Sequence, residues 1–585
     1  MRAVLAFLRT YPRQSMIVLL ALVVAGAVEG VSLTALLPAF SAAIDRELGT
    51  TSRGSGLALD MLHRIGIEPT ITTLLVVIVV GTSLTSVISL LAKREVGYTV
   101  AQVATDLRLQ LLRVLVGARW EYYLRQPVGK LTNAMAAEAG GAAQAYLNAA
   151  TMTSYAIQTV AYSAVALAVS WEATLAYVAA ALVIAIGLHT LVRAARRAGK
   201  RSTKVLSRLM AGLVDSLQSV KPLKAMGRQD LADGVVAAQT MELNAATRRQ
   251  VIAKEGRKAI QQPVIAIMVA LGTWVGLEVW NLPMANVLVL MILLSRVLNN
   301  FGKVQGEYQE LVSCESYYWS LRATLDEAER EVEPNTGTVH PVLEREIRLE
   351  QVDFAYAGEA VLRECSLSIP FGSFAALIGP SGAGKTTLLD LIVGLVRPQR
   401  GKVTVDGLDL AELDMGEWRR MIGYVPQENL LLHDTVARNV TLGDAALGPA
   451  DVEHALRAAG AWGFVATLPE GAETVVGERG ARFSGGQRQR IMIARALAHR
   501  PRLLILDEAT ASLDPTTEAA LCGTLAELRG EVTILAISHQ RALVDAADRV
   551  YRVEKGGATL DIDRPELRDA AALGLAASPS NRTAT

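Results

Sequence analysis

The strongest constraint on what this 585-residue chain can fold into is a set of long apolar runs, all before about residue 310. They lie at 16–40, 73–92, 149–171, 173–192, 259–280 and 284–304. Each approaches or exceeds the roughly 20 residues that a helix needs to cross a bilayer. Lipid offers no water to satisfy stray backbone groups, so such runs have to be helical. The chain therefore opens with an α-helical, six-span polytopic membrane domain over 1–310. Arg2, Arg9 and Arg13 precede the first run as in a secretory signal. That run is too long for a signal core and lacks a convincing cleavage site, so it remains a membrane helix.

Basic residues near span ends are retained on the cytoplasmic side. Between the fourth and fifth runs stand Arg193, Arg196, Arg197, Lys200, Arg201, Lys204 and Arg208, and between the second and third Lys93, Arg94, Arg108, Arg113, Arg119, Arg125 and Lys130. Both connections are cytoplasmic. The third and fourth runs are joined by little more than Trp171 and Glu172, and the fifth and sixth by Asn281, Leu282 and Pro283; these turns face outward. An even number of spans puts both termini in the cytoplasm, at the inner membrane. The cytoplasmic connections, about 55 and 65 residues long, carry apolar residues at three and four spacing, so the spans continue as helices beyond the bilayer. RQPVGK (125–130) and SVKPLKAMGRQ (219–229) interrupt them with Pro and Gly. The outer connection 41–71 reads equally well as a short amphipathic helix or a solvated loop.

Beyond 310 the pattern changes. Residues 311–345 include a charged, Pro-bearing linker, and from 346 to 560 short β-rich runs alternate with helical ones, which predicts a mainly parallel α/β sheet. The tail 561–585 reads as frayed. SFAALIGPSGAGKTT joins a buried strand to a helix through a Gly-rich turn, the context that a phosphate loop requires. Gly379, Gly382 and Gly384, with Ser381 and Ala383 between them, let backbone amides curl round the β and γ phosphates. Lys385 adds a point charge, Thr386 offers a hydroxyl to Mg²⁺, and Thr387 continues the helix start. LLIL (503–506) is expected to lie beside the phosphate strand and to deliver Asp507 and Glu508 at its carboxyl end. Asp507 suits Mg²⁺ and Glu508 suits an attacking water. AISHQ ends a third strand with His539, placed to donate to the γ phosphate. The cofactors implied are ATP and Mg²⁺.

The order GPSGAGKTT, VPQ, FSGGQ, LLILDEATASLD, SH resembles the ATP-binding cassette transporters, and the six preceding spans resemble an exporter-type (type IV) half-transporter; the resemblance covers nearly the whole chain. It implies that Tyr356 stacks on adenine, that Gln427 reaches Mg²⁺ and the attacking water, that Asp514 communicates across a dimer, and that Glu478 meets the cytoplasmic arms. The breaks at 125–130 and 219–229 fall where the family has coupling helices. Ser484, Gly485, Gly486 and Gln487 open a helix whose amino end attracts phosphate; in the family that turn faces ATP bound by a second subunit. Two phosphate turns in one chain therefore imply two chains, and intact Lys385, Gln427, Ser484, Glu508 and His539 favour a homodimer. Phe483 departs from the usual Leu.

Polar groups within spans are costly and line cavities, which makes Glu29 and Arg296 candidates for substrate contact or gating, with an interhelical pair as the alternative reading; Glu278 is closer to the outer interface. The expected function is ATP-driven export or flipping of an amphipathic lipid, lipid-linked sugar, peptide or drug-like molecule. VEGVSLTALLPAF (28–40) resembles the first span of lipid-linked oligosaccharide flippases and, loosely, that of peptide exporters. An ATP-gated channel, a regulator or an importer could use the same architecture. A net charge of +1 and the lack of a basic stripe argue against nucleic acid. Cys314, Cys365 and Cys522 are too scattered for a disulfide framework or a zinc site.

Overall fold

A computed structural model describes residues 11–36, 38–40, 70–176, 178–179, parts of 204–216, 220–334, 337–356, 358–428, 430–509 and 515–564. It divides into two compact units, residues 1–118 with 122–332, and 119–121 with 333–585. The outer connection 41–71 falls almost wholly outside the described residues, as does the fourth apolar run beyond residue 179.

The first unit is helical. Its elements are α1 (Pro12–Thr34), α2 (Ile71–Val116), α3 (Trp120–Arg125), α4 (Val128–Asn133), α5 (Ala139–Val169), α6 (Val220–Ala225), α7 (Gln229–Glu278) and α8 (Met284–Arg330). Among the described residues five helices are long and apolar enough to cross a membrane. The 46 residues of α2 rise about 70 Å at 1.5 Å each, more than twice the hydrocarbon thickness. The excess carries the Arg-bearing connection that the sequence places in the cytoplasm. α2 starts where Thr70 caps the amide of Thr73 and ends before Gly117. The Pro-containing break at 125–130 is a sharp step between α3 and α4, followed by a π-helical turn, Ala134–Glu138. α8 continues to Arg330, so 311–330 of the stretch read above as linker is helix.

Apolar side chains of α1, α2, α5 and α8 meet in one cluster that includes Val18, Leu22, Val96, Val103, Tyr146 and Leu311. A second cluster, with Leu111, Leu115, Leu131, Leu321 and Leu325, packs the extended arms. Leu75, Val76, Val79, Val80, Val87 and Leu90 of α2 stay exposed, which suits a lipid-facing surface, because hydrocarbon exacts no penalty for it.

The second unit contains two sheets. β1 (Glu346–Tyr356), β2 (Glu359–Pro370), β4 (Arg400–Val405) and β5 (Leu408–Asp409) form an antiparallel sheet ordered β2-β1-β4-β5. β3 (Phe374–Ile378), β6 (Ile422–Val425), β7 (Leu503–Asp507), β8 (Thr533–Ile537), β9 (Arg549–Glu554) and β10 (Gly557–Asp563) form the other, ordered β10-β9-β3-β8-β7-β6. Two expectations are thereby corrected. IRLEQVDFAY and KVTVDG belong to a separate antiparallel sheet, since β1 returns to β2 through a connection too short for a parallel crossover. LLIL is not the neighbour of the phosphate strand: β8 pairs with both β3 and β7 and stands between them.

β7 and β8 are buried at every residue, as a parallel sheet covered on both faces requires. Alternate side chains go to opposite cores. Phe374, Ala376, Leu504, Leu506, Ile534 and Ala536 pack with Ile491 and Met492 of α10 (Gly485–Leu497). Ala375, Leu377, Leu503, Ile505, Leu535 and Ile537 pack with Leu388 and Leu391 of α9 (Lys385–Val393) and with the antiparallel sheet.

Candidate functional site

The carboxyl ends of four adjacent parallel strands, β3, β8, β7 and β6, place the nucleotide motifs side by side. β3 runs into the phosphate loop. Gly379 adopts φ 148°, and a Cβ there would come 2.2 Å from the carbonyl oxygen of Val553, so a side chain is excluded by backbone. Gly384, at φ 100°, turns the chain into α9. The first amides of that helix have no partner within it, which makes its amino end a phosphate cradle. Lys385 is 6% exposed. Its Nζ donates to the carbonyls of Gly379 at 2.7 Å and Pro380 at 3.0 Å, which folds it back over the loop of Ser381, Gly382 and Ala383. Thr386 is exposed on the loop side, whereas Thr387 is buried.

Asp507 ends β7 and Glu508 follows it in the left-handed region, at φ 49°. A non-glycine residue held there is strained, and such strain concentrates at working sites. The amide of Glu508 donates to Ile537 O at 3.1 Å, tying the turn to β8. Gln427, two residues past β6, donates from Nε2 to Oε2 of Glu508 at 2.7 Å. Tyr424 of β6 donates its hydroxyl to Asp507 Oδ2 at 3.1 Å. Burial, and then the charge of Glu508, raise the Asp507 carboxyl above its ordinary range, against the Tyr424 bond and the weaker pull of Lys385. Oxygen donors in a buried acidic setting fit a hard divalent cation, which would relieve that cost. His539, two residues past β8, is exposed.

Ser484 caps α10. Its Oγ accepts from the amide of Gln487 at 3.3 Å, and its own amide donates to Gln487 Oε1 at 3.0 Å, a capping box. Gly485 and Gly486 form the first turn. Phe483 turns into the core, its ring 6.0 Å from that of Phe464. Tyr356 ends β1 and donates its hydroxyl to Asp390 of α9. Glu478 lies exposed in the turn Glu478–Gly480. Asp514 lies outside the described residues. The sequence reading passed over two residues of this site, Tyr424 and Asp390. Asp390 did leave a trace, as a lone acid in the apolar run LLDLIV.

In the helical unit Glu29 and Arg296 meet. Arg296 Nη1 donates to Glu29 Oε1 at 2.7 Å, and the Tyr162 hydroxyl donates to the same oxygen. The guanidinium lies 5.7 Å from the Tyr162 ring centre. The pair heads a polar seam between α5 and α8. Asn300 donates to Gln158 at 3.2 Å, and Lys303 sits 5.0 Å from the ring centre of Tyr155. Glu278 is exposed at the end of α7.

The family profile described as "ABC transporter" matches residues 362–511, and "ABC transporter transmembrane region" matches 14–300. The heterocyst differentiation ATP-binding protein HepA of Nostoc sp. is 30% identical over 456 residues, covering 78% of this chain and 75% of that protein. An ATP-dependent lipid A-core flippase of Coxiella burnetii is 30% identical, covering 78% of each. A solved structure of a bacterial Atm1-family ABC exporter with ATP bound superposes with a TM-score of 0.75 at 21% identity, over 94% of this chain and 95% of that one. A helical membrane domain and a cassette whose motifs converge at four strand ends stand in one polypeptide: the chain belongs to the ATP-binding cassette transporters, as a multi-pass, ATP-driven half-transporter of the exporter type.

Proposed function

We propose that two identical copies of this chain form a pump in the cytoplasmic membrane, with their cassettes in the cytoplasm, that exports or flips an amphipathic molecule. The observation that carries the reading is the convergence of Lys385, Gln427, Asp507, Glu508 and His539 at neighbouring strand ends, with Gln427 bonded to Glu508. The phosphate loop and Lys385 hold the triphosphate. Thr386, Asp507 and Gln427 supply oxygen ligands for Mg²⁺, which when bound neutralises phosphate charge. Glu508, oriented by Gln427, takes the proton from the attacking water, and His539 donates to the γ phosphate. Tyr356 offers its ring to the base.

Ser484, Gly485 and Gly486 complete the partner's site, and Asp514 links the two. The capped amino end of α10 supports this division of labour, since its dipole favours an anion. Glu29 and Arg296 are the proposed contacts or gate of the transport cavity. The flippase names among the relatives, together with the polar seam beneath this pair, favour a lipid bearing a polar head group.

Co-expression of Lys385→Ala and Ser484→Asp copies tests the shared site. Each variant alone should be inactive, whereas every mixed pair regains one intact site and with it ATP occlusion. No recovery in purified mixed pairs would show that each chain builds its site alone. ATP-dependent accumulation in vesicles against a gradient then separates a pump from a gated pore.

A further inference from the structure

The base and phosphate ends of the nucleotide site are joined by a contact that the hydrolytic chemistry does not use. Tyr356 is held on one side by Phe354, edge to face, with centroids 4.8 Å apart and planes at 85°. On the other side its hydroxyl donates to Asp390 Oδ2 at 3.3 Å, and the Thr387 side chain lies close to the same hydroxyl. Thr387 and Asp390 are three residues apart on α9 and so share one face. Both are buried, at 7% and 8% exposure. α9 is the helix whose first turn cradles phosphate.

A carboxylate is costly to bury and persists where a partner repays it. Neither phosphate binding nor hydrolysis calls for an acid five residues beyond the loop lysine, and the partner that Asp390 has is the tyrosine. An unanchored tyrosine samples several rotamers, and a ligand that stacks on it has to order it first. Phe354 alone leaves the ring free to swing in its own plane. The bond to Asp390 removes that freedom in advance.

We propose that Asp390 is a positioning residue for the nucleotide base: by holding the Tyr356 hydroxyl it fixes the ring as a stacking platform and ties that platform to the phosphate-binding helix. The inference rests on the reading of Tyr356 as the base platform. Base and triphosphate are then presented at a set separation, and the effect falls on nucleotide affinity rather than on the hydrolytic step, which is run from the ends of β6, β7 and β8.

The test is steady-state ATPase kinetics on the full-length protein in lipid nanodiscs, with Tyr356→Ala, Tyr356→Phe, Asp390→Ala, Asp390→Asn and the double variant Tyr356→Phe/Asp390→Ala. Loss of one hydrogen bond of ordinary strength predicts a KM for ATP raised about fivefold in Asp390→Ala and in Tyr356→Phe, with a much smaller change in kcat. Asp390→Asn, whose amide oxygen accepts the same bond, should recover most of the loss. The double variant should be no worse than either single one. A KM unmoved in Asp390→Ala, equal harm from Asn and Ala, or effects that multiply in the double variant would each overturn the proposal. Tyr356→Ala separates the two ideas: a raised KM there with Asp390→Ala inert rejects the positioning role alone, and an unchanged KM there rejects the base platform itself.

Discussion

Gln427 and Glu508, 81 positions apart in sequence, meet in a 2.7 Å hydrogen bond from amide Nε2 to carboxylate Oε2. The bond fixes the carboxylate that is to face water, and Glu508 is held from behind by its strained backbone and the contact to Ile537. Glu508→Gln should retain ATP binding and lower kcat by at least about 100-fold, the usual worth of a general base. Gln427→Ala leaves the base chemically intact but unanchored, so kcat should fall about tenfold with a smaller effect on affinity. Turnover assays beside fluorescent-nucleotide titration check both; normal turnover in Glu508→Gln would remove Glu508 from the role of base.

Ser484 combines a structural and an electrostatic task that two substitutions separate. Ser484→Ala loses the capping box, which costs about 1 kcal/mol of helix stability. Ser484→Asp caps as well as serine does but sets a negative charge at the phosphate-facing end of α10. The alanine variant should show the lower melting temperature, and the aspartate variant the lower ATPase activity. Full ATPase activity in the aspartate variant, with the loss confined to the less stable alanine variant, would mean that the residue is only a cap.

Asp390 predicts a pH dependence of stability with an unusual sign. Burial first, and then the charge of Asp507, raise its carboxyl from 3.8 to about 6, against the bond from Tyr356. The folded state therefore holds the proton more tightly than the unfolded state. The resulting stabilisation is complete below about pH 4 and is lost as the pH rises through 6. A shift of about 2 units at 1.36 kcal/mol each sets a ceiling of about 3 kcal/mol. Asp390→Asn keeps the Tyr356 bond and removes the charge, so nucleotide-free protein should melt higher than the parent at pH 7.5. The gap should close between pH 6 and 4, as followed by scanning fluorimetry.

Glu29 and Arg296 should respond unequally to neutralisation. The Glu29 side chain is 12% exposed and that of Arg296 is 42% exposed. Arg296→Met strands the more buried charge with only the Tyr162 hydroxyl, whereas Glu29→Gln leaves the less buried charge, still beside the Tyr162 ring. Discounted for the exposure of Arg296, the first change should cost about 1–2 kcal/mol and the second less. Thermal melts in nanodiscs give the order, and stimulation of ATPase activity by candidate lipids shows whether either change alters substrate response.

Hydropathy windows were enough to place a membrane domain ahead of a cassette, because the cost of unsatisfied backbone in lipid is a property of a single segment. The phosphate loop and the capped helix at Ser484 were equally readable, since glycine dihedrals and capping bonds act over a handful of consecutive residues. Their chemistry needed no knowledge of distant neighbours. Tyr424 escaped notice because nothing within its own strand shows that its hydroxyl will meet Asp507 on β7.

What this chain decided locally is thus which segments cross lipid and which turns grip phosphate. Tertiary structure alone decided that β8 enters between β3 and β7, that Tyr356 and Asp390 join across 34 positions, and that Glu29 and Arg296 pair across 267. The physical reason is that strand order and helix pairing are set by which faces bury one another once the chain is compact. Local propensity carries no information about that choice.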